Sequence, residues 1–305
     1  VIKTFISVDE FIPFSEAVVR VFDQYGERNR RNKARMKFLL KEQGFDAFET
    51  RVNEVYQAIS PKIVSVTPFA LETRKTALFE AYQAVDTQYN TWKKNNVSKQ
   101  KQDGLVAVGI AIDRGDISSD KARALSQVVE AFCGDDLRFT IGQSILLRGI
   151  QEDNLPALYL ALQQLGLAKA GYHKINDIVA CPGTDTCNLG IASSMGLAEE
   201  LQRVIEEEYA HIVTKHQLNI KISGCMNACG QHAIADIGFQ GMTVKSNGNI
   251  APATQVLLGG GVLGNGAGRY ADKALKVPAR RTPHVLSWLL GDCDAHAQKE
   301  KSFLD

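Results

Sequence analysis

Hydrophobic residues recur along this chain with two periods, and each period predicts a kind of element. Spacings of three and four predict helices over Phe14 to about Tyr25, Ala77 to Trp92, Ser118 to Phe132, Leu155 to Leu165, Leu189 to Glu208 and Pro283 to about Ser302. The clearest is Ser118 to Phe132, where Leu125, Val128, Val129 and Phe132 share a face and Ser118 or Ser119 supplies the cap. Alternation or short apolar runs predict strands at Ile63 to Val66, Leu105 to Ile112, within Leu137 to Ile150, at Leu218 to Ile222 and at Ile234 to Phe239. Helices and strands are mixed, so the fold class is α+β. The stretch from Asn95 to Asp103 has Val97 as its one apolar residue and reads as an exposed linker. The chain then divides into a basic helical segment (1–60), a connecting segment (61–103), a βαββα unit (104–167) and a cysteine-bearing remainder (168–305).

Composition narrows the function classes. At 305 residues with 45% hydrophobic positions, the chain has room for two domains with their own cores. A formal net charge of +1 argues against a nucleic-acid-binding protein, which would carry a basic excess. There is no apolar run of membrane-spanning length and no signal-peptide pattern, so the expectation is a cytoplasmic protein without a membrane partner. The sequence begins with Val1, which suggests a fragment.

Candidate chemistry concentrates in four cysteines. Cys181 and Cys187 lie in IVACPGTDTCNLGI, and Cys225 and Cys229 lie in ISGCMNACGQHAIADIGF. The spacings are C-x5-C and C-x3-C, with 37 residues between the pairs. Pro182 and Gly183 turn the chain so that Cys187 can face Cys181. The helical pattern after Leu189 puts Cys187 at a helix N-terminus, where amide donors favour a thiolate. Gly224 and Gly230 bracket the second pair and allow a sharp turn around a ligand. Three readings compete: buried structural thiols, a structural zinc, and an iron–sulfur cubane. Zinc knuckles favour closer pairs than C-x5-C, whereas a cubane accepts four thiolates from a more open frame.

Other motifs carry less. Gly259, Gly261 and Gly264 satisfy G-x-G-x-x-G, but the helix and βαβ context that a dinucleotide site needs is missing. The six histidines show no paired metal-ligand spacing; His232, beside the second cysteine pair, is read as a structural histidine or a hydrogen-bond partner of the site. Cys133 and Cys293 read as core thiols. From Arg28 to Lys41, seven basic side chains precede the acid Glu42, which is either a solvated helix face or a contact to an acidic ligand.

The wording ACPGTDTCNLGIA followed by ISGCMNACGQHAIADIGF closely resembles the 4Fe–4S and siroheme signature of the nitrite and sulfite reductase haemoproteins. The resemblance implies that Cys181, Cys187, Cys225 and Cys229 hold a 4Fe–4S cluster and that Cys229 also bridges to siroheme iron. It further implies that Asn227 and Gln231 are cofactor-facing, that Thr140 and Gln143 lie on a cofactor-facing strand, and that Arg35 or Lys37 meets siroheme carboxylates. Residues 104–167 resemble the family's ferredoxin-like half-domain, 168–305 its siroheme and 4Fe–4S-binding α/β domain, and 1–60 the end of its first half-unit. Arg280 and Arg281 are surface residues or part of a carboxylate shell, and the LGG stretch passes close to a macrocycle. The implied activity is six-electron reduction of nitrite to ammonium or of sulfite to sulfide, with GTDTCNLGI closer to the nitrite enzymes and ferredoxin as the implied electron donor. Substrate-binding basic groups come mainly from the family's first half-unit, so this chain alone is expected to bind the cluster with little turnover. The alternative class is a non-catalytic interaction module stabilised by zinc or an iron–sulfur cluster.

Overall fold

The computed structural model describes residues 2–30, 33–59, 86–134, 136–262 and 268–296. The chain divides into two compact units, residues 1–71 and 72–305. The expected strand at Ile63 to Val66 and most of the expected helix from Ala77 lie outside the described residues.

The first unit is helical: α1 (Val8–Tyr25), α2 (Met36–Gln43) and α3 (Phe45–Ala58) close over Phe14, Ala17, Val21, Leu39, Phe48 and Val52. Helix α1 begins six residues before the expected start at Phe14, with Pro13 inside it. The reason is a capping box. Glu10 N donates to Ser7 Oγ at 3.3 Å, and Ser7 N donates back to Glu10 Oε2 at 3.2 Å. Ser7→Ala is expected to lower the unfolding free energy of this unit by about 1 kcal/mol, read from a urea transition. Bonds from Lys3 and Ser7 hold the Glu10 carboxyl at about 2. The stabilisation they bring is therefore present above the ordinary carboxylate range and is lost as pH falls toward about 2.

The second unit contains two principal sheets. Its first part runs α4 (Thr87–Asn96), β1 (Val97–Lys99), β2 (Leu105–Ile110), α5 (Ser119–Cys133), β3 (Leu137–Phe139), β4 (Ile145–Gln151) and α6 (Leu155–Gln164). The strands pair antiparallel in the order β1-β2-β4-β3. Val108, Ile110, Leu147 and Ile150 of this sheet pack with Leu125, Val129, Leu158 and Leu162 of the helices. Ser118 caps α5 by accepting from Lys121 N, as the pattern predicts. The expected linker from Asn95 is instead the end of α4 followed by β1, with Val97 to Lys99 opposite Val108 to Val106. An exposed edge strand shows no apolar alternation, which is why composition hid it.

The second part runs β5 (Val179–Ala180), α7 (Ser194–Glu208), β6 (Ile220–Ser223), β7 (Ile237–Ser246), β8 (Asn249–Leu258), β9 (Gly261–Val262), β10 (Gly268–Arg269), β11 (Asp272–Pro278) and α8 (Thr282–His296). Five strands form one sheet in the order β11-β8-β7-β6-β5. Strands β5, β6 and β7 are parallel neighbours, and β8 and β11 pair antiparallel beyond them. Ile178, Ala180, Ile220, Ile222, Phe239 and Val256 pack beneath Leu201, Ile205, Leu286 and Leu290 of α7 and α8. The chain is thus α+β. After Gly259 come the strands β9 to β11, so among the described residues no helix takes up the glycine-rich turn as a dinucleotide site requires; Gly264 lies outside them.

Candidate iron–sulfur site

The parallel pairing of β5 with β6 brings the two cysteine loops together. Both loops leave the carboxyl ends of these strands, where open α/β sheets place their ligands. The loop after β5 carries Cys181 and Cys187, and the loop after β6 carries Cys225 and Cys229. They cross at Gly224. Its N–H donates to Cys181 Sγ at 3.2 Å, and its carbonyl accepts from Ile191 N at 2.9 Å and Ala192 N at 3.1 Å. Cys181 and Cys225 are buried, Cys187 is half-buried and Cys229 is exposed. None of the four is in a disulfide.

Cys187 does not stand at a helix N-terminus. Helix α7 begins at Ser194, capped by Ser193, because the residues between turn and bend across Gly224. Ser194 instead fixes the first cysteine: its Oγ donates to Cys181 O at 2.5 Å and lies 3.4 Å from Cys181 Sγ. Gly224 and Gly230 are glycines for a different reason than a sharp turn. Neither lies in the left-handed region, which falls to Ala228 (φ 61°) and Gln231 (φ 62°) in the same loop. Both are positions of close approach. A Cβ at Gly224 would stand 2.7 Å from Ala192 O and Gly183 Cα, and one at Gly230 would stand 1.9 Å from Ile222 O.

The remaining expected site residues are spread over both units. Asn227 is half-buried between Cys225 and Cys229. Gln231 accepts from Lys221 Nζ at 2.6 Å. Gln143 lies in the β3–β4 turn at φ 60°, not on a strand. Its Nε2 donates to Ala180 O at 2.8 Å and its Oε1 accepts from Ala180 N at 2.9 Å. Strand β5 is the edge of its sheet, so one glutamine amide stands in for the peptide of a further strand. It satisfies the backbone of the residue before Cys181. Beside it, Ser144 Oγ and His173 N donate to the buried Asp177 carboxylate at 3.0 and 2.9 Å. Burial nevertheless pushes the Asp177 carboxyl up. Gln143→Ala would leave a buried N–H and C=O unpaired. It is expected to cost about 2 kcal/mol in the unfolding of the second unit, measured by chemical denaturation, with Gln143→Glu intermediate.

Thr140 shapes that turn, with its Oγ1 donating to Ser144 O at 3.1 Å. Arg138 and Arg148 both pair with Asp136, at 3.0 and 2.7 Å. Arg35 and Lys37 belong to the first unit, where Arg35 occupies the cap position of α2 and Lys37 Nζ lies 5.2 Å from the Phe38 ring centre. His232 is buried in the turn after Gln231, and Cys133 and Cys293 pack partly buried against the two cores of the second unit. A cavity of about 770 Å³ lies beside the cysteine loops, lined by Thr184, Ile191, Gly224, Arg280 and His284 among others, with none of the four cysteines in its wall. Sequence reasoning passed over Ser194, Lys221 and Ser223. The signal for Lys221 was available as one charge inside the alternating run Ile220 to Ser223.

A structural zinc needs three or more ligands around one point. Among the described residues no three His, Cys, Asp or Glu side chains form a group fit to hold a single ion. A cubane interposes an inorganic core, so its thiolates need only ring the space between the loops.

Comparison with known proteins agrees with this architecture. The nitrite/sulfite reductase ferredoxin-like half-domain matches residues 98–165. The nitrite and sulphite reductase 4Fe-4S domain matches residues 1–59 and 171–290. The chain is 26% identical over 269 residues to a chloroplastic ferredoxin–nitrite reductase of Zea mays, covering 86% of this chain and 43% of that protein. It is 31% identical over 250 residues to sulfite reductase (ferredoxin) 2 of Mycolicibacterium paratuberculosis, covering 80% of this chain and 41% of that one. The solved structure of the Mycobacterium tuberculosis NirA protein superposes with a TM-score of 0.70 at 26% identity, covering 99% of this chain and 53% of that chain. The chain thus spans about half the length of the relatives it matches. With the 4Fe-4S domain alone matching more than half of its residues, this chain belongs to the nitrite and sulfite reductase family, whose cofactors are a 4Fe–4S cluster and siroheme.

Proposed function

We propose that this chain carries the cluster-binding part of a siroheme-dependent assimilatory reductase, with Cys181, Cys187, Cys225 and Cys229 holding the cubane and Cys229 shared with siroheme iron. The single observation that carries the reading is the crossing of the two cysteine loops at Gly224, at the carboxyl ends of parallel strands. The residues fit the group. Four free thiols stand on two interlocked loops, and the buried pair Cys181 and Cys225 is anchored by Gly224, Ser194 and the β5–β6 pairing. The exposed Cys229 suits a ligand that must also meet a second cofactor.

When bound, the cluster and siroheme supply electron storage and an open iron site for an anion. The protein's own groups hold the geometry. Gln143 fixes the strand before Cys181, Ser194 fixes the Cys181 carbonyl, and Ser223 fixes the loop after Cys229 through Gly230 N at 3.0 Å. Asn227 and Gln231 are placed toward the macrocycle in this reading, with Arg35 or Lys37 against its carboxylates. The domains follow as residues 104–167 for the half-domain and 168–305 for the cofactor-binding domain.

The substrate is nitrite or sulfite, with nitrite placed first on the wording GTDTCNLGI, and the electron donor is of the ferredoxin class. Among the described residues no helix is long and apolar enough to cross a membrane. Paired thiolate ligands suit a reducing, cytoplasmic compartment better than a disulfide framework does. Anaerobic purification with iron, sulfide and zinc analysis and an absorption spectrum tests the cofactor reading. Four irons and four sulfides per chain with a chlorin band support it, and a colourless chain with one zinc overturns it. Turnover of nitrite against sulfite with a reduced viologen then decides the substrate.

A further inference from the structure

Strand β6 carries one charge through an otherwise apolar run. Ile220 and Ile222 point into the core beneath α7 and α8, so the period of two turns Lys221 and Ser223 to the opposite face. Both meet the second cysteine loop as it returns across the strand. Ser223 Oγ accepts from Gly230 N at 3.0 Å, and Lys221 Nζ donates to Gln231 Oε1 at 2.6 Å. Lys221 is half-buried, and among the described residues no carboxylate pairs with it. Burial pushes its ammonium down from the usual lysine range, with no neighbouring acid to offset it. The nearby His173 imidazole is also pushed down by burial, which the Asp177 carboxylate offsets in part and the Lys221 charge adds to.

A half-buried ammonium whose partner is a neutral amide is a charge left unbalanced, and buried charges are retained in proteins where something of opposite sign meets them. Gln231 stands two residues after Cys229, so the unbalanced charge lies under the loop that presents this cysteine. Four thiolates around an iron–sulfur core would give that loop the missing negative charge.

We propose that Lys221 is the counter-charge of the cluster, held under the Cys229 loop by Gln231, and that it raises the cluster's reduction potential. The inference rests on the cluster reading above. Each electron that arrives from the ferredoxin-class donor adds negative charge to the cluster, and a fixed cation beside it favours the reduced form. No bond forms or breaks at Lys221 and no proton leaves it. Gln231 is a positioning residue, since its left-handed backbone turns its amide oxygen onto the ammonium.

The test is a redox titration, followed by electron paramagnetic resonance, of the full chain carrying a cluster reconstituted without oxygen. Lys221→Met is expected to shift the reduction equilibrium about tenfold toward the oxidised cluster, the size of effect a unit charge exerts near a partly buried site. For a one-electron couple that is a fall of about 59 mV. Lys221→Arg, which keeps the charge, and Lys245→Met, which removes an exposed lysine on β7, are expected to match the wild type. Should Lys221→Met take up no iron, Lys221→Gln is titrated in its place. Equal potentials across lysine, arginine and the neutral variant, with normal iron and sulfide content, overturn the proposal. Loss of siroheme with an unmoved cluster potential also overturns it, because the lysine would then serve a macrocycle carboxylate. A wild-type chain that takes up no cluster removes the underlying reading, and this inference with it.

Discussion

Serine at any one of Cys181, Cys187, Cys225 and Cys229 is expected to reduce iron and acid-labile sulfide in the anaerobically purified chain to background. The reason is ligand chemistry: a serine hydroxyl stays protonated where a cysteine gives a thiolate, and iron–sulfur cores select the softer sulfur donor. Cys133→Ser and Cys293→Ser are the matched controls. Cys133 ends α5 and packs against the half-domain core. Cys293 lies on α8 against the second core, where burial, with the neighbouring Asp294 and Asp292 charges, pushes its thiol up and away from the reactive thiolate form. Both control variants should keep wild-type iron, at a cost in stability of about 1 kcal/mol from a polar group placed against a core. Iron retained by two or more of the four site variants would mean that the loops hold no four-thiolate cluster. Iron lost from a control would bring a fifth cysteine into the site.

The four cysteines were legible because their spacing is a one-dimensional trace of two loops that must face each other. What holds those loops was less so. The strand before Cys181 is only two residues long, and an edge strand completed by a glutamine side chain leaves no alternation to read. Gln143 itself was visible as a polar residue in an apolar run. Its partner, 37 positions away, depends on the packing of the half-domain turn against β5. Helix α1 carried its start in the sequence as Ser7 and Glu10, but Pro13 reads as a stop to a pattern search that weighs the proline's missing N–H above the cap. The late start of α7 has the opposite cause. Leu189 and Ile191 fit the helical period, yet tertiary bonds from Ile191 N and Ala192 N to Gly224 O hold that stretch in turns and bends outside the helix. Local propensity yields where a long-range contact satisfies the same donors.

The sheet explains why the site belongs at this place in the chain. Parallel strands β5 and β6 need a crossover, and α7 supplies it, so the two cysteine loops are far apart in sequence and adjacent in space. Antiparallel β8 and β11 extend the same sheet, and the turn from β11 into α8 reaches that end, where Arg280 and His284 line a cavity with Gly224. The core beneath α7 and α8 then fixes both strands, and the loops inherit their positions from it.

Alanine at Gly230 is therefore expected to do more damage than its size suggests. Its Cβ would stand 1.9 Å from Ile222 O and 2.8 Å from Ile222 C, both backbone atoms of β6 that pair with β5 and β7 and cannot rotate away. Relief requires the loop to lift, which breaks the Gly230 N bond to Ser223 Oγ and displaces Gln231 from Lys221. We expect a loss of more than about 3 kcal/mol in chemical denaturation, at the upper end for overpacked positions, together with loss of bound iron. Gly224→Ala should act on the other half of the crossing. Its Cβ meets Ala192 O and Gly183 Cα at 2.7 Å, and the shift it forces pulls the Gly224 N–H from Cys181 Sγ. The two variants separate crowding from flexibility, since neither glycine has a left-handed backbone that alanine would strain. Wild-type stability and iron content in Gly230→Ala would show that the loop rides free of β6, and the cysteines would then need another explanation for how they are held.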